Sequence, residues 1–344
     1  MSRSNSSIDQ AIAKLKDRQS LTDSETTDAL DLVMEGSATN KQIEALLVGL
    51  HEKGETADEL VGAARSLRKQ MTAIDANRPA IVDTCGTGGS GTNAFNVSTA
   101  SAIVAAAAGA SVAKHGNRKS TSKSGSADVL SEMGVNVECS VEVVEKCLNQ
   151  LGLCFCFAPL FHPAVKNVSK IRKKLDHPTI FNLIGPLCNP ANAPFQLLGA
   201  GRGETRQLLA EALAKLGTTR AIVVHGRDGL GEISVSDTTD VSEVRNGHIA
   251  TSELVPTDFG LENSLGISLL VVQNPQQSAD VIRRVLEGQS GPARDIVIAN
   301  AAATLWVSGI SDDLLTGAER CKMAIDKGHA GDLLKELVEM TNKS

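Results

Sequence analysis

Residues 83–100 read DTCGTGGSGTNAFNVSTA, and this stretch decides the fold. It follows the β-rich run AIVDTC and precedes an Ala-rich run, so it joins a predicted strand to a predicted helix. Gly86, Gly88 and Gly91 spell G-x-G-x-x-G, the spacing of a dinucleotide-binding turn. Glycines let the main chain approach a phosphate, and a helix N-terminus attracts negative charge. The stretch therefore predicts an α/β fold with an anion site after its first strand.

The charges around this turn argue against a dinucleotide. A nicotinamide site needs an acidic residue at the end of the second strand to hold the ribose. Here the second predicted strand ends at Lys114 and His115, and residues 84–127 contain four basic residues and no Asp or Glu. This pattern favours a multiply charged phosphate ligand. A purely structural glycine turn would leave the basic excess unexplained.

A second loop, KHGNRKSTSKSGSAD, covers residues 114–128. Lys114 offers a point charge for a pyrophosphate, and Arg118 offers a planar fork for phosphate oxygens. Short hydroxyl donors at 120, 121, 122 and 124 suit a loop that closes over its ligand. Taken alone, the segment also fits a solvated Ser-rich turn. His115 is either a catalytic base or a structural histidine.

The rest of the chain extends this α/β pattern on both sides. Residues 8–75 have helical periodicity, and Thr22 with Glu25 forms a capping-box pattern. Further strands are predicted at SVAKHG, LCFCFA, FQLLGAG, AIVVHG and EISVSD, alternating with helices, and the tail from Asp280 is mostly helical. Such alternation implies a largely parallel sheet covered on both faces. We expect a small N-terminal helical domain and a larger α/β domain with a mostly parallel central sheet.

Composition excludes several function classes. The net charge of −6, seven Phe, one Trp and no Tyr argue against nucleic-acid binding. Seven scattered Cys without a C-x-x-C pair favour reduced thiols in the cytoplasm over disulfides or a zinc site. The polar N-terminus MSRSNSSIDQ is not a signal peptide, and the Ala-rich window ASAIVAAAAGASVA predicts a buried helix rather than a membrane span.

Several motifs together resemble the anthranilate phosphoribosyltransferase family, part of glycosyltransferase family 3. They are G-T-G-G at 86–89, N-V-S-T at 96–99, K-H-G-N-R at 114–118, F-H-P at 161–163, N-L-I-G-P-L-C-N-P at 182–190 and G-P-A-R-D-I-V-I-A-N-A-A-A at 291–303. The resemblance covers almost the whole chain. It implies a helical domain over residues 1–76, joined in space by helices around 163–190, and an α/β domain over 77–344. It also implies transfer of phosphoribosyl from phosphoribosyl pyrophosphate to anthranilate in tryptophan biosynthesis, with Mg²⁺, by a cytoplasmic homodimer.

The resemblance also implies roles for individual residues. Lys114 and Arg172 would act in catalysis, although Arg172 alone also fits a solvated basic helix face. Ser98 and Glu232 would hold magnesium. Anthranilate would contact Gly86, Asn117, His162 and Arg172. The donor would contact Gly86, Gly89, Ser90, Asn96, Ser98, Thr99, Lys114, Asn117, Arg118, Ser122 and Ser126.

Two positions depart from the family pattern, and each lacks a carboxylate. Ser90 ends a G-T-G-G-S loop where the family has Asp, and Gly231 precedes Glu232 where the family has an Asp-Glu pair. Magnesium favours carboxylate oxygens, so we expect an altered magnesium requirement or weaker donor affinity. Asp228 or Asp237 could compensate. One alternative is a non-catalytic or different-acceptor paralogue. Another is a pyrimidine nucleoside phosphorylase, but those enzymes usually carry a K-H-S-T-G-G phosphate loop, which this sequence lacks.

Overall fold

The computed structural model describes residues 5–119, 123–263 and 266–343. The strands are β1 (Ile81–Gly86), β2 (Ser111–Gly116), β3 (Leu153–Phe157), β4 (Phe195–Gly199), β5 (Arg220–Gly226), β6 (Thr239–Arg245) and β7 (His248–Leu254). The helices are α1 (Asn5–Lys16), α2 (Asp23–Met34), α3 (Asn40–Lys53), α4 (Ala57–Lys69), α5 (Val97–Ala107), α6 (Ser126–Glu132), α7 (Val141–Lys146), α8 (Ala158–Phe161), α9 (Lys166–Arg172), α10 (Phe181–Ile184), α11 (Glu204–Lys215), α12 (Pro275–Leu286), α13 (Pro292–Val307), α14 (Leu314–Asp326) and α15 (His329–Asn342). The N-terminal helical domain and the larger α/β domain match the predicted fold class.

One mixed sheet runs through the described part of the chain in the order β3-β2-β1-β4-β5-β6-β7. The strands from β3 to β5 are parallel, and β6 and β7 continue the sheet antiparallel. The strand order switches at β1, because β2 lies on one side of it and β4 on the other. Ligands of open α/β sheets bind at such a switch point, beyond the carboxyl ends of the strands. The glycine loop after β1 lies at this crevice.

The helices α2, α3 and α4 begin with capping boxes. Thr22 accepts the Glu25 N–H at 3.2 Å, and Glu25 accepts the Thr22 N–H at 2.9 Å, so the predicted capping box is confirmed. The starts of α3 and α4, at Thr39 and Thr56, have the same reciprocal pair. Each pair satisfies main-chain donors that the first helical turn leaves unpaired.

Two apolar clusters cover the two faces of the sheet. Adjacent residues of β4 enter different clusters, Leu197 with α5 and α13 and Leu198 with the N-terminal helices. Val168, Ile171 and Phe181 from the segment around 163–190 also pack in the cluster of the N-terminal helices. The domain boundary at residues 76 and 77 stays a prediction.

The prediction of a strand at EISVSD, residues 232–237, is wrong. Ser234 Oγ accepts the Ser236 N–H at 3.0 Å and the Asp237 N–H at 3.1 Å, so this segment turns instead of pairing. The next strand, β6, begins at Thr239 and returns as β7 through Asn246 and Gly247, both with positive φ. An Asn-Gly pair is a strong hairpin signal, and it was present in the sequence.

The Ala-rich window forms α5, whose residues are almost all buried. It packs between β1 and α13 in the larger apolar cluster. Across residues 5–119, 123–263 and 266–343, no helix combines the length and apolar character that a membrane span requires.

Candidate active site

An open cavity of about 530 Å³ lies at the carboxyl ends of β1 and β2. The glycine loop, the start of α5 and the second loop form its walls. Predicted site residues that line it are Gly86, Gly89, Ser90, Asn96, Ser98, Lys114, Asn117, Arg118, Ser126 and Glu232. A smaller cavity of about 190 Å³, beside Arg68, contains no predicted site residue.

The glycine loop brings the main chain to the cavity wall. Gly88 and Gly89 have φ of 67° and 79°, a conformation that side chains disfavour. A Cβ at Gly201 would lie 2.0 Å from the Gly88 carbonyl oxygen, so the segment after β4 supports the loop from behind. Ser90 Oγ hydrogen-bonds Thr92 Oγ1 at 2.9 Å, where the family has a carboxylate. The loop therefore offers main-chain donors and hydroxyls rather than negative charge.

Lys114 is the buried cation of the site, 3% exposed at the end of β2. Its Nζ donates to the Thr84 carbonyl at 2.7 Å and to Ser98 Oγ at 3.2 Å. Burial lowers the pKa of Lys114, and the charge of Asp83 opposes this shift. The two hydrogen bonds hold the ammonium beside the first turn of α5, where an anion is also favoured.

Asn96 and Thr99 differ in their access to the cavity. The Asn96 amide accepts hydrogen bonds from Ser124 Oγ at 2.6 Å and from Ser278 Oγ at 2.8 Å, so it links the second loop to α12. Thr99 is 1% exposed and does not line the cavity. Asn96 is therefore placed at the predicted donor site, whereas the Thr99 side chain is not.

The second loop places Asn117 and Ser126 side by side, with Ser126 Oγ donating to the Asn117 carbonyl at 3.3 Å. Arg118 is paired with Glu138 at 2.7 Å and Asp128 at 3.5 Å. Ser122 lies outside the described residues, as do Ser120 and Thr121.

Arg172 and His162 lie behind the cavity wall instead of lining it. Arg172 donates to Asn182 Oδ1 at 3.3 Å, and Asn182 does line the cavity. Its guanidinium stacks 5.3 Å from the Phe181 ring, and burial lowers the pKa of Arg172 without an opposing carboxylate. A half-buried guanidinium without a charged partner in the described residues is suited to a ligand carboxylate.

Two buried histidines lie together, His115 in the cavity lining and His162 behind it. The rings of His115 and His162 are 5.0 Å apart, and His115 Nδ1 is 3.2 Å from the Gly185 carbonyl. Burial lowers the pKa of His115 to about 3 and that of His162 to about 4. Both rings are neutral at physiological pH. A base this weak supports the structural interpretation of His115.

Glu232 supplies the cavity with a carboxylate. Burial raises its pKa to about 7, with repulsion from Asp228, while Lys114 opposes the shift. Asp228 is occupied by Ser234 Oγ at 2.6 Å and Ser236 Oγ at 2.8 Å, and exposed Asp237 does not line the cavity. Neither Asp228 nor Asp237 lines the cavity.

The oxygen ligands that the cavity offers fit one magnesium ion held mainly by substrate oxygens. The residues that the structure describes contain no group of three or more potential His, Cys, Asp or Glu ligands. Mg²⁺ commonly uses one or two carboxylates, waters and substrate phosphates. Glu232 and Ser98, which line the same cavity, satisfy that requirement once phosphate oxygens are present.

Sequence reasoning missed several residues of the site. Arg202 and Thr205 line the cavity after β4, and the carboxyl-end rule for parallel strands could have identified them. Asp83 accepts the His115 N–H at 3.1 Å and fixes β2 beside β1. Ser278 reaches Asn96 from 182 positions away, and no local pattern predicts that contact.

The comparisons agree along both domains. The a/b domain model of the glycosyl transferase family matches residues 78–331, and its helical bundle domain model matches residues 9–71. Anthranilate phosphoribosyltransferase of Rhodopirellula baltica is 46% identical over 97% of each chain, and that of Acetivibrio thermocellus is 44% identical over 97% of each.

Solved structures give the same result. The Thermus thermophilus anthranilate phosphoribosyltransferase has a TM-score of 0.91 and 35% identity over 97% of this chain and 99% of that one. The Saccharomyces cerevisiae enzyme in complex with phosphoribosyl pyrophosphate and Mg has a TM-score of 0.88 and 28% identity over 98% of each chain. The same yeast enzyme in complex with 4-fluoroanthranilate has a TM-score of 0.87 and 26% identity over 98% of each. The chain belongs to the anthranilate phosphoribosyltransferase family.

Proposed function

We propose that the protein transfers the phosphoribosyl group of phosphoribosyl pyrophosphate to the amine of anthranilate, releasing pyrophosphate, in tryptophan biosynthesis. The observation that carries this proposal is the placement of one buried cation in the cavity lining and of a second cation directly behind a lining residue. Lys114 stands at the cavity wall, and Arg172 lies behind Asn182 without a carboxylate partner in the described residues. The two cations suit two anionic substrates that must meet between them.

The donor would lie along the glycine loop and the second loop. Main-chain N–H groups after Gly86 and around Gly89 can approach its phosphates, because no Cβ stands in the way. Lys114, Ser98 and Ser90 would add side-chain donors, and Asn117, Arg118 and Ser126 would contact it from the second loop. Asn96 would orient this side through Ser124 and Ser278.

Anthranilate would lie against Gly86 and Asn117, with its carboxylate toward Arg172. Stacking on Phe181 orients the guanidinium, and burial strengthens its interaction with a carboxylate. Neutral His162, behind the cavity wall, would add no charge near the path of the ring. The acceptor side thus selects an anionic, planar molecule.

The chain's residues would catalyse the transfer by positioning and electrostatic support. Departure of pyrophosphate leaves positive charge on the ribose ring while negative charge grows on the leaving group. Lys114 and the loop N–H groups would stabilise that growing charge. The attacking aryl amine is already neutral, so no dedicated general base is required.

We also propose that Glu232 and Ser98 hold Mg²⁺ together with the donor phosphates. An ion held by these residues would supply charge neutralisation for the phosphate oxygens. With Ser90 and Gly231 in place of carboxylates, the site would depend more on substrate oxygens than a two-carboxylate site does.

The decisive experiment follows anthranilate fluorescence after phosphoribosyl pyrophosphate and Mg²⁺ are added to the purified protein. Loss of fluorescence, with stoichiometric release of pyrophosphate, supports the transfer. Unchanged fluorescence with detectable donor binding would favour a non-catalytic or different-acceptor paralogue. The relatives named above are all described as anthranilate phosphoribosyltransferases, and none as a nucleoside phosphorylase.

Assembly and location are proposals of the same kind. The family resemblance leads us to propose a homodimer through the helical domain, which sedimentation equilibrium would test. All seven cysteines are free and buried, which favours a reducing compartment such as the cytoplasm.

A further inference from the structure

We propose that Asp128 is a positioning residue for the donor, because its carboxylate closes the neck of the second loop. The neck consists of residues 117–119 and 125–128, where the loop leaves β2 and enters α6. The inference rests on the proposed function, since it concerns the same phosphoribosyl pyrophosphate site. Asp128 itself does not line the cavity, whereas Asn117, Gly125 and Ser126 do.

One oxygen of Asp128 ties the two ends of the loop together. Its Oδ2 accepts the Lys119 N–H at 2.7 Å and the Gly125 N–H at 3.1 Å. The Ala127 N–H completes the neck by donating to the Asn117 carbonyl at 3.1 Å. The Asp128 side chain is 15% exposed and the Lys119 residue is exposed, so the carboxylate rather than its partners is shielded from water.

Gly125 makes this closure possible by its lack of a side chain. Its φ is −90°, so main-chain strain does not require glycine here. A Cβ would instead lie 2.3 Å from the Lys119 nitrogen and 2.4 Å from the Arg118 carbonyl carbon. The two segments of the neck, residues 117–119 and 125–128, are in direct contact. This one contact therefore fixes the positions of the cavity residues on both segments.

The charge of Asp128 would oppose a phosphate ligand if nothing offset it. Arg118 Nη1 lies 3.5 Å from Asp128 Oδ1, and two main-chain donors approach the other oxygen. Asp128 is also the first acidic residue after the acid-free segment 84–127. A carboxylate at this position acts on the donor through the geometry of the neck and not through contact with it.

The test compares D128A, D128N and D258A. Asp258 accepts the Val255 N–H at 2.8 Å, so it has a similar local capping role, and it does not line the cavity. Calorimetric titration with phosphoribosyl pyrophosphate and Mg²⁺ measures donor affinity without turnover, and steady-state assays give KM for each substrate. Thermal unfolding reports stability for all three variants.

We expect D128A to bind phosphoribosyl pyrophosphate about tenfold more weakly, because the main-chain N–H groups of Lys119 and Gly125 lose the acceptor that joins the two sides of the neck. Its KM for anthranilate should change less than its donor affinity, because Asn117 is the one neck residue that also belongs to the proposed acceptor side. D128N keeps an acceptor oxygen and should restore donor affinity, whereas D258A should lose stability but keep donor affinity. Should D128A not fold, D128E moves the carboxylate away from Lys119 and should also weaken donor binding.

Wild-type affinity in D128A, or an equal loss in D258A, would overturn the positioning role. A D128N variant as weak as D128A would also overturn it, because the neck needs an acceptor and not a charge. Failure of the wild-type protein to bind or transfer phosphoribosyl would instead reject the proposed function, and this inference with it.

Discussion

The two sides of the cavity are built differently. The donor side consists of main chain brought close by glycines, with Lys114 buried behind it and hydrogen-bonded to Thr84 and Ser98. The proposed acceptor side has the guanidinium of Arg172, held by Asn182 and Phe181, and the neutral ring of His162. In the proposed function, the donor side would recognise charge through the Lys114 cation together with many main-chain N–H groups, whereas the acceptor side would rely on one ion pair with Arg172. A single substitution should therefore affect the two sides differently.

The largest effect is expected at Lys114. Lys114→Met keeps the buried volume but removes the cation, and we expect kcat/KM for phosphoribosyl pyrophosphate to fall about 10²–10³-fold. Lys335→Met, on an exposed lysine paired with Asp332, is the matched control and should have no effect. Steady-state kinetics measure both variants. A K114M variant with more than a tenth of wild-type kcat/KM would show that the loop donors suffice without Lys114.

The next effect is expected at Arg172. Arg172→Gln removes the partner of the anthranilate carboxylate, so kcat/KM for anthranilate should fall roughly tenfold to a hundredfold. Donor KM should not change. Lys173→Gln, on the exposed neighbouring residue, controls for charge alone. Equal changes in both substrates' kinetic constants would contradict the separation of the two sides.

A pH-dependent effect is expected at His162. Its pKa is held at about 4, below its ordinary value of 6.5, so the unfolded chain binds the proton more tightly. His162 therefore makes its full contribution to the stability of the folded state above pH 6.5. That contribution is lost as the pH falls toward 4. Acidification should lower the free energy of unfolding of the wild type, and His162→Gln should make that decrease smaller by on the order of 3 kcal/mol.

Urea unfolding at neutral pH and at several acidic values measures that effect. The exposed His248 provides the control variant His248→Gln. An acid-induced loss of the same size in H162Q and the wild type would show that burial of this ring does not set the acid sensitivity.

The smallest effect is expected at Gly231. A Cβ there would lie 3.4 Å from the Ala200 carbonyl oxygen, an ordinary contact, so Gly231→Asp should fold. It would place a second carboxylate next to Glu232, and we expect activity to saturate at a few-fold lower Mg²⁺ concentration. Superimposable magnesium titrations of wild type and G231D would refute a role for this position.

The sequence predicted what short patterns encode. The capping box at Thr22, the buried α5 and the strands up to β5 all follow from local periodicity and residue type. The β6–β7 hairpin was missed although Asn246-Gly247 marks its turn. The predicted strand at EISVSD failed because serine hydroxyls bind the main chain there, a choice that β propensity does not contain.

The candidate site divides in the same way. Motifs located the glycine loop, Lys114 and Glu232, which all line the cavity. They did not reveal that Arg172 and His162 stand one layer behind it, because burial depth depends on how α9 packs on the N-terminal helices. Ser278 could not be predicted from spacing, since tertiary packing alone brings it to Asn96.

The hydrogen bond from Ser278 to Asn96 spans 182 positions of chain, and β4 pairs with β1 from more than a hundred positions away. During synthesis the glycine loop emerges early, but its supports emerge only after most of the chain has left the ribosome. In the proposed function, a growing chain would lack these contacts with the glycine loop until late in translation. We therefore expect a product truncated before Ser278 to bind phosphoribosyl pyrophosphate more weakly than the full chain.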